Sequence, residues 1–318
     1  MSKKLYGTAT GTTGILSVMI NEAHTNATAA ATVKAEDTSL SIGDAISLDI
    51  GYDTDHTVVF NGYVKKIVRS IPEDIYEIQA FDVLSRAKDY FIASANPDAP
   101  FTRFQINAED LIQDLLALAQ LTNYTADPTS FIYAWTIPAE INLIGCYDIC
   151  KQISDMLVWH LWADSTGLVH FEDRKPFIMA GDTTADPALQ FLGNVTYTTT
   201  DDDLRNRVVI YGANGIFAEA KAASPYLPAG FYKTAVLASS LVIDLQSMAD
   251  DAASYNLASW NRLRESLAGT IEGDPSLSAR DIVKVTLSDL GIDSFWYVFS
   301  ANHTWSKNGY KIELELRR

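Results

Sequence analysis

The sequence predicts an α+β protein with two related antiparallel β domains at its ends and a small α/β region between them. Three features point there: alternating strands at the C-terminus, a second copy of that pattern near the N-terminus, and two amphipathic helices in the middle. At 318 residues the chain exceeds one ordinary hydrophobic core, which agrees with several domains.

At the C-terminus, Asp281–Leu287, Phe295–Phe299 and Lys311–Leu316 alternate or run apolar with β-branched and aromatic residues, so each reads as a strand. Asn308-Gly309 between two such runs signals a hairpin, because a type I′ turn needs positive φ at both central positions. The last strand places Ile312, Leu314 and Leu316 on one face and Lys311, Glu313, Glu315 and Arg317 on the other. Near the N-terminus, Ser41–Ile50 resembles Ser278–Leu287: a turn ends in Asp44 or Asp281 and opens an alternating strand. Two strands follow each copy, Val58–Val68 and Ile75–Phe81 in the first, Phe295–Thr304 and Tyr310–Leu316 in the second.

The remaining elements follow in chain order. Ile15–Ile20 reads as a strand, and Gly62 inside Val59–Val64 suggests a bulge or sharp bend. Phe81–Ala87 ends in a short helix, and Asn96-Pro97-Asp98-Ala99-Pro100 is a break. Asn107 is placed to cap a helix whose Leu111, Leu115 and Leu118 form one stripe, with Glu109 and Asp110 at its positive end. A second helix runs from about Leu143 to Val158, and Val158–Ala163 with Leu168–Asp173 form a hairpin about Asp164–Gly167. Val208–Tyr211 is a strand, Gly212–Gly230 a long loop, and Ser247–Asp250 a capping box that opens a helix to about Leu267, ended by Gly269. The expected domains are 1–95, 96–190 and 191–318.

Composition excludes several function classes. A net charge of −16 argues against a basic surface that grips nucleic acid. No run approaches the ~18 apolar residues of a membrane helix, and Met1-Ser2-Lys3-Lys4 is not followed by the apolar core of a secretory signal. Cys146 and Cys150 share one face of a helix and have no second pair to complete a zinc site, so they read as small buried residues in a reducing compartment.

Four constellations bear on chemistry. Pairing about the Asp164–Gly167 turn sets His160 opposite Phe171 and His170 opposite Leu161, on opposite faces, so they share no ion. Asp201-Asp202-Asp203 lacks the spaced ligands of a calcium loop and reads as a solvated turn. Glu172 and Asp173 point apart on a strand and do not flank one bond. Gly7, Gly11 and Gly14 lack the Gly-Lys-Ser/Thr ending of a phosphate loop. No catalytic residue, cofactor or metal is therefore expected, and the chain reads as a structural or binding protein.

The order of parts resembles the central baseplate hub proteins of tailed phages and contractile injection machines, including the late control protein D group. The residues that carry the resemblance are Gly43–Leu48 with Phe60–Val64, the acidic-capped helix at Asn107, the Trp159–Phe171 hairpin, and Gly273–Leu277 leading to Asp281, Trp296-Tyr297-Val298, His303-Thr304-Trp305 and Asn308-Gly309-Tyr310. It covers roughly residues 40–318.

The resemblance implies two tube-like antiparallel β-barrel domains flanking the α/β middle region, and a homotrimer in which three chains give a pseudo-sixfold ring. That ring joins a hexameric tail tube, or a distal tube ring, to a trimeric central spike, with the tape measure protein as a further partner. DNA passes through the lumen without specific binding. Asp44, Asp49, Asp281, Glu313 and Glu315 are the candidate lumen-facing or ring-interface residues, since a carboxylate-lined tube repels phosphate. The location implied is the virion tail baseplate, assembled in the host cytoplasm, with a separate spike protein and no membrane contact. The alternatives are a receptor- or carbohydrate-binding tail protein, which needs no duplication, and an enzyme whose site would be a deep pocket of perturbed polar groups.

Overall fold

The computed structural model describes residues 4–25, 28–93, 106–129, 132–133, 144–184, 188–238, 243 and 245–318. The chain opens with strands β1 (Leu5–Ala9), β2 (Thr12–Ala23), β3 (Ala30–Thr38), β4 (Ala45–Tyr52), β5 (Asp55–Ser70) and β6 (Ile75–Asp82). The middle contains α1 (Ser85–Asp89), β7 (Phe91–Ile92), β8 (Ile106–Asn107), α2 (Ala108–Leu118), β9 (Tyr124–Ala126), β10 (Ile132–Tyr133), β11 (Ile144–Gly145), α3 (Cys146–Leu157), β12 (His160–Ala163) and β13 (Val169–Glu172). The last part contains β14 (Thr196–Thr200), β15 (Arg207–Tyr211), β16 (Phe217–Lys221), β17 (Thr234–Ala238), α4 (Gln246–Trp260), β18 (Arg264–Glu272), β19 (Ile282–Leu287), β20 (Ile292–Ser306) and β21 (Gly309–Arg317). The fold is α+β with β predominating.

Eleven strands form one sheet in the order β1-β4-β5-β6-β3-β2-β20-β21-β18-β14, with β19 added to β20. The path is open, and neither half closes on itself through a ladder among the described residues. Alternation builds its core: Ile46, Leu48 and Ile50 from β4, Val33 from β3, Ile78 from β6, Val283 and Val285 from β19, and Leu314 and Leu316 from β21 are buried in one cluster. The two halves repeat one plan, β4-β5-β6-β3-β2 and β19-β20-β21-β18-β14.

A second core joins α1, α2, α3 and the β12–β13 hairpin to β15, β16 and α4. The helix expected inside the C-terminal β domain therefore packs on the middle region, and Asn256 of α4 donates to the Met156 carbonyl of α3 at 3.4 Å. β15 is flanked by β16 and, in parallel, by β17 in a separate three-stranded sheet. Cys146 and Cys150 are free and buried in this second core.

Several local expectations are corrected. The last hairpin turns at Lys307-Asn308, with Ser306 paired to Gly309, and only Gly309 has positive φ, +148°. This is one residue earlier than the Asn-Gly signal and is not type I′. Neither Asn107 nor Ser247 caps a helix with its side chain: α4 begins at Gln246, whose Nε2 donates to Asp250 Oδ1 at 3.0 Å. That helix ends at Trp260, and Leu267 and Gly269 belong to β18. Gly269 lies under the Phe191 ring, where a Cβ would come within 2.7 Å of it, so this glycine serves packing and not a helix end. The segment read as a long loop contains β16. The Asn96–Pro100 break lies outside the described residues.

Gly62 is not itself the bulge. The shifts fall at Val59 on the β4 side and at Lys65 on the β6 side. A Cβ on Gly62 would overlap the Phe81 carbonyl oxygen and lie 2.8 Å from the Phe60 ring. Because backbone cannot swing aside as a side-chain end does, Gly62→Ala is expected to cost about 1–3 kcal/mol through overpacking, read as a lower urea midpoint at unchanged slope. An unchanged midpoint would sink this account.

The same strand position shows how the halves differ. Counting ladder partners from Val64 and Val298, Gly62 corresponds to Trp296 and Phe60 to Ser294. In the first half a large Phe60 covers a small Gly62. In the second, Trp296 is fully buried and its Nε1 donates to Ser294 Oγ at 3.1 Å. The bulky side chain has moved two residues along one face while the pair keeps one large and one small member.

Candidate functional site

The duplication holds at the level of single hydrogen bonds. Asp44 Oδ2 accepts from Ser41 N at 2.8 Å, and Asp281 Oδ2 accepts from Ser278 N at 2.7 Å. Gly43 N donates to Val64 O at 2.8 Å and Val64 N to Asp44 O at 2.9 Å; Arg280 N donates to Val298 O at 2.7 Å and Val298 N to Asp281 O at 2.8 Å. The turn demands the left-handed region at its third residue, where Gly43 has φ +90° and Arg280 φ +84°. Both long strands then bulge at the next residue, Lys65 or Phe299.

Asp44 and Asp281 are thus turn-capping acids, satisfied by backbone N–H groups. Asp49 sits on the β4–β5 hairpin, 2.9 Å from His56 Nδ1, and that ring stacks on Tyr6 at 3.8 Å. Exposed Glu313 and half-buried Glu315 lie on the outer face of β21, beside Thr270, Ser300 and Asn302 in a shallow open concavity. Glu315 Oε1 accepts from Arg317 Nε at 3.0 Å. Sequence reading missed their counterparts on β6: Glu77 corresponds to Glu313 and Gln79 to Glu315. The repeat held the signal, but reading it needed the bulge, which shifts the count by one.

The halves meet where β2 pairs with β20, Ser17–Ala23 opposite Ser306–Ser300. Arg280 anchors this joint. It donates to the Ala23 carbonyl at 3.1 Å, its guanidinium lies 4.5 Å from the Trp162 ring of the middle hairpin, and Glu22 and Asp82 line the same small cavity. Glu22 Oε2 accepts from Ala279 N at 3.2 Å. Burial pushes the Glu22 and Asp82 carboxyls up to about 7, against the opposing pull of Arg280. His24 stacks on His160 at 4.0 Å, and its Nδ1 lies 2.7 Å from the Tyr297 hydroxyl. Burial, then the neighbouring Arg280 charge, hold His24 down to about 3. These groups belong to the first half, the second half and the middle hairpin, so the joint locks three segments together.

The hairpin register corrects the histidine reading. His160 pairs with Glu172 and Trp162 with His170, one residue off the expected pairing, so His160 and His170 share a face. They are still held apart by separate partners: His170 stacks on Trp162 at 4.5 Å and reaches Asp164 Oδ2 at 3.0 Å. Glu172 accepts from Trp162 Nε1 at 2.8 Å, and Asp173 pairs with Lys175. In the triple-Asp turn, Asp201 pairs with Lys233 at 2.6 Å and Asp203 with Arg264. Among the described residues no group of three or more His, Cys, Asp or Glu is arranged to hold a metal ion, and no helix is long and apolar enough to cross a membrane.

The fold is shared with a tail protein from Neisseria meningitidis MC58, at TM-score 0.71 and 12% identity over 99% of this chain and 97% of that one. It is shared equally with the 43 kDa tail protein of prophage MuSo2 from Shewanella oneidensis, at TM-score 0.70 and 14% identity over 99% and 98%. The E. coli c3393 protein, a component of the type VI secretion system, aligns at TM-score 0.56 and 9% identity over 99% and 76%. No curated protein matches the sequence. The chain belongs to the YQBQ-like family, which it matches over residues 11–317.

Proposed function

We propose that the chain is the structural, non-enzymatic hub of a phage tail baseplate. Three copies form a pseudo-sixfold ring that joins the hexameric tail tube, or a distal tube ring, to a trimeric central spike. The tape measure protein meets the same ring, and DNA passes through it without specific binding. The observation that carries this reading is the duplication of strand order, turn bonds and bulge: two near-equivalent halves per chain give six near-equivalent positions from three chains, so one ring matches sixfold and threefold neighbours. The shared fold supports it, and the E. coli protein is itself described as similar to the bacteriophage T4 tail proteins gp27 and gp5.

On this reading residues 1–95 and 191–318 supply the ring portions as tube-like barrels, and 96–190 the middle portion, with β15–β17 and α4 packed on the latter. Glu77 and Glu313 then repeat around the ring as one belt of carboxylates, with Glu315 beside it, and an acidic lumen repels phosphate. Asp49 is placed with this belt; Asp44 and Asp281 lie at the joints.

Light scattering and negative-stain imaging of the purified chain test the reading. A trimeric ring with a central hole is expected, and its reconstruction shows whether Glu77 and Glu313 face that hole. A chain that stays monomeric both alone and co-expressed with tube and spike proteins overturns it. One observation favours the receptor- or carbohydrate-binding alternative: Tyr211, Phe217, Tyr226, Phe231 and Tyr232 are all exposed around the β16–β15–β17 sheet. Glycan binding by the monomer, lost in Tyr211→Ala with Phe217→Ala, would favour that reading instead.

A further inference from the structure

We propose that β14 of one copy pairs antiparallel with the free edge of β5 in a second copy, in one defined register, with Thr198 opposite Val68. This deepens the ring reading and rests on it.

The joint inside one chain is the template. One edge of β20 carries β21. The other carries β19 along Ile292–Tyr297 and β2 along Ser300–Ser306. β5 is built alike: β6 fills one edge, and β4 covers Asp55–Tyr63 on the other. Beyond the Lys65 bulge, the segment Lys66–Ser70 corresponds to Ser300–Thr304, yet β6 is its only ladder partner among the described residues. At the far end of the sheet, β18 is the only ladder partner of β14 among the described residues. By their ladder partners, Thr196–Thr200 of β14 correspond to Met19–Ala23 of β2. The chain therefore presents one unpaired copy of each half of a joint it has already made once.

Transferring that joint fixes the register. Met19 to Ala23 oppose Thr304 to Ser300, so Thr196 to Thr200 oppose Ser70 to Lys66 of the second copy. Exposure agrees. Ile20 is 0% exposed in the internal joint, while its counterpart Tyr197 is 40% exposed; Ala279 is 1% exposed, while its counterpart Ile42 is 62% exposed. Val68 of β5 is exposed, and so is Ile71 just beyond the end of that strand. The segment Thr-Tyr-Thr-Thr-Thr has high β-propensity and no charge or proline, the devices that normally keep an edge strand from pairing. Each bare edge complements the other and not itself, so the contact is head-to-tail and repeats until the ring closes.

Cysteines at Thr198 and Val68 test the register, since directly opposed strand residues bring Cβ atoms to roughly 4.5–5.5 Å, within reach of a disulfide after small adjustment. The native Cys146 and Cys150 are buried. Mass is measured first by light scattering, then the sample is mildly oxidised and run without reductant. Thr198→Cys with Val68→Cys should convert most chains to covalent multimers, while Thr198→Cys with Ile67→Cys, one residue off and on the opposite face, should not. Asn21→Cys with Asn302→Cys, the internal counterpart, should link within one chain and report that oxidation worked. An oligomer that fails to cross-link at Thr198 and Val68 while the internal pair closes overturns this pairing and leaves the ring reading standing. A chain that is monomeric under every condition removes both.

Discussion

Replacing Arg280 with Ala is expected to destabilise the protein by about 3 kcal/mol at pH 8, and by much less at pH 5. Arg280 holds a left-handed backbone, donates to Ala23 and stacks on Trp162. Its Nε is shut off from solvent, although the residue as a whole keeps some exposure. Removing one member of a buried charge cluster leaves the others uncompensated, at about 3–5 kcal/mol, and the partial exposure of Arg280 places it at the low end.

The pH dependence follows from the two carboxyls it faces. Asp82 is buried, and its folded value of about 7 lies above the ordinary carboxyl range. The folded state therefore holds this proton more tightly than the unfolded chain, and stability falls as pH rises from about 4 to 7. The same sign applies to Glu22, also held at about 7. Arg280 opposes both shifts, so without it they grow and the loss of stability extends to higher pH. At pH 5 both carboxyls are neutral in either protein and the difference shrinks. Urea titrations of the two proteins at pH 5 and pH 8 decide the matter. A loss of equal size at both values would show that Arg280 acts by packing alone.

Trp296→Ala is expected to cost about 3–5 kcal/mol, the range for truncating a fully buried aromatic, and to loosen both halves together. Trp296 is 0% exposed in a core cluster that runs through both halves of the sheet. Hydrogen exchange should therefore speed up in β4–β6 as well as in β19–β21. Exchange confined to β19–β21 would mean that the halves unfold separately. The exchanged sizes at this position supply a sharper check. Trp296→Gly with Ser294→Phe rebuilds the arrangement of Phe60 over Gly62, so the double variant should recover more than ~1 kcal/mol relative to Trp296→Gly alone, a non-additivity ordinary for residues in contact. No recovery would show that the halves are not interchangeable at this position.

The alternating runs of β4, β6, β19 and β21 were legible because burial on one sheet face imposes a period of two, and the Ser-x-x-Asp turns announced the duplication before any pairing was known. The α2 and α3 stripes were legible for the same reason at helical spacing. Other features were not. Gly269 reads as a helix stop in isolation and serves a ring contact in β18. Ser247 matches a capping box that the helix start bypasses. A single residue of register moved His160 onto the same face as His170. Local propensity differs little between such alternatives, and long-range packing decides.

From its own pattern, then, the chain determines a twice-built antiparallel β plan, a helical middle and a charged polar face on β21 that carries Glu313 and Glu315 with Lys311 and Arg317, because each follows from short-range periodicity and composition. Only the tertiary structure decided that β2 joins β20, that Arg280 sits among Glu22, Asp82 and Trp162, that α4 packs on the middle region, and that Glu77 answers to Glu313. These pairings span up to most of the chain and turn on single-residue bulges, which leave no mark on hydrophobic periodicity and are selected by the packing of the whole.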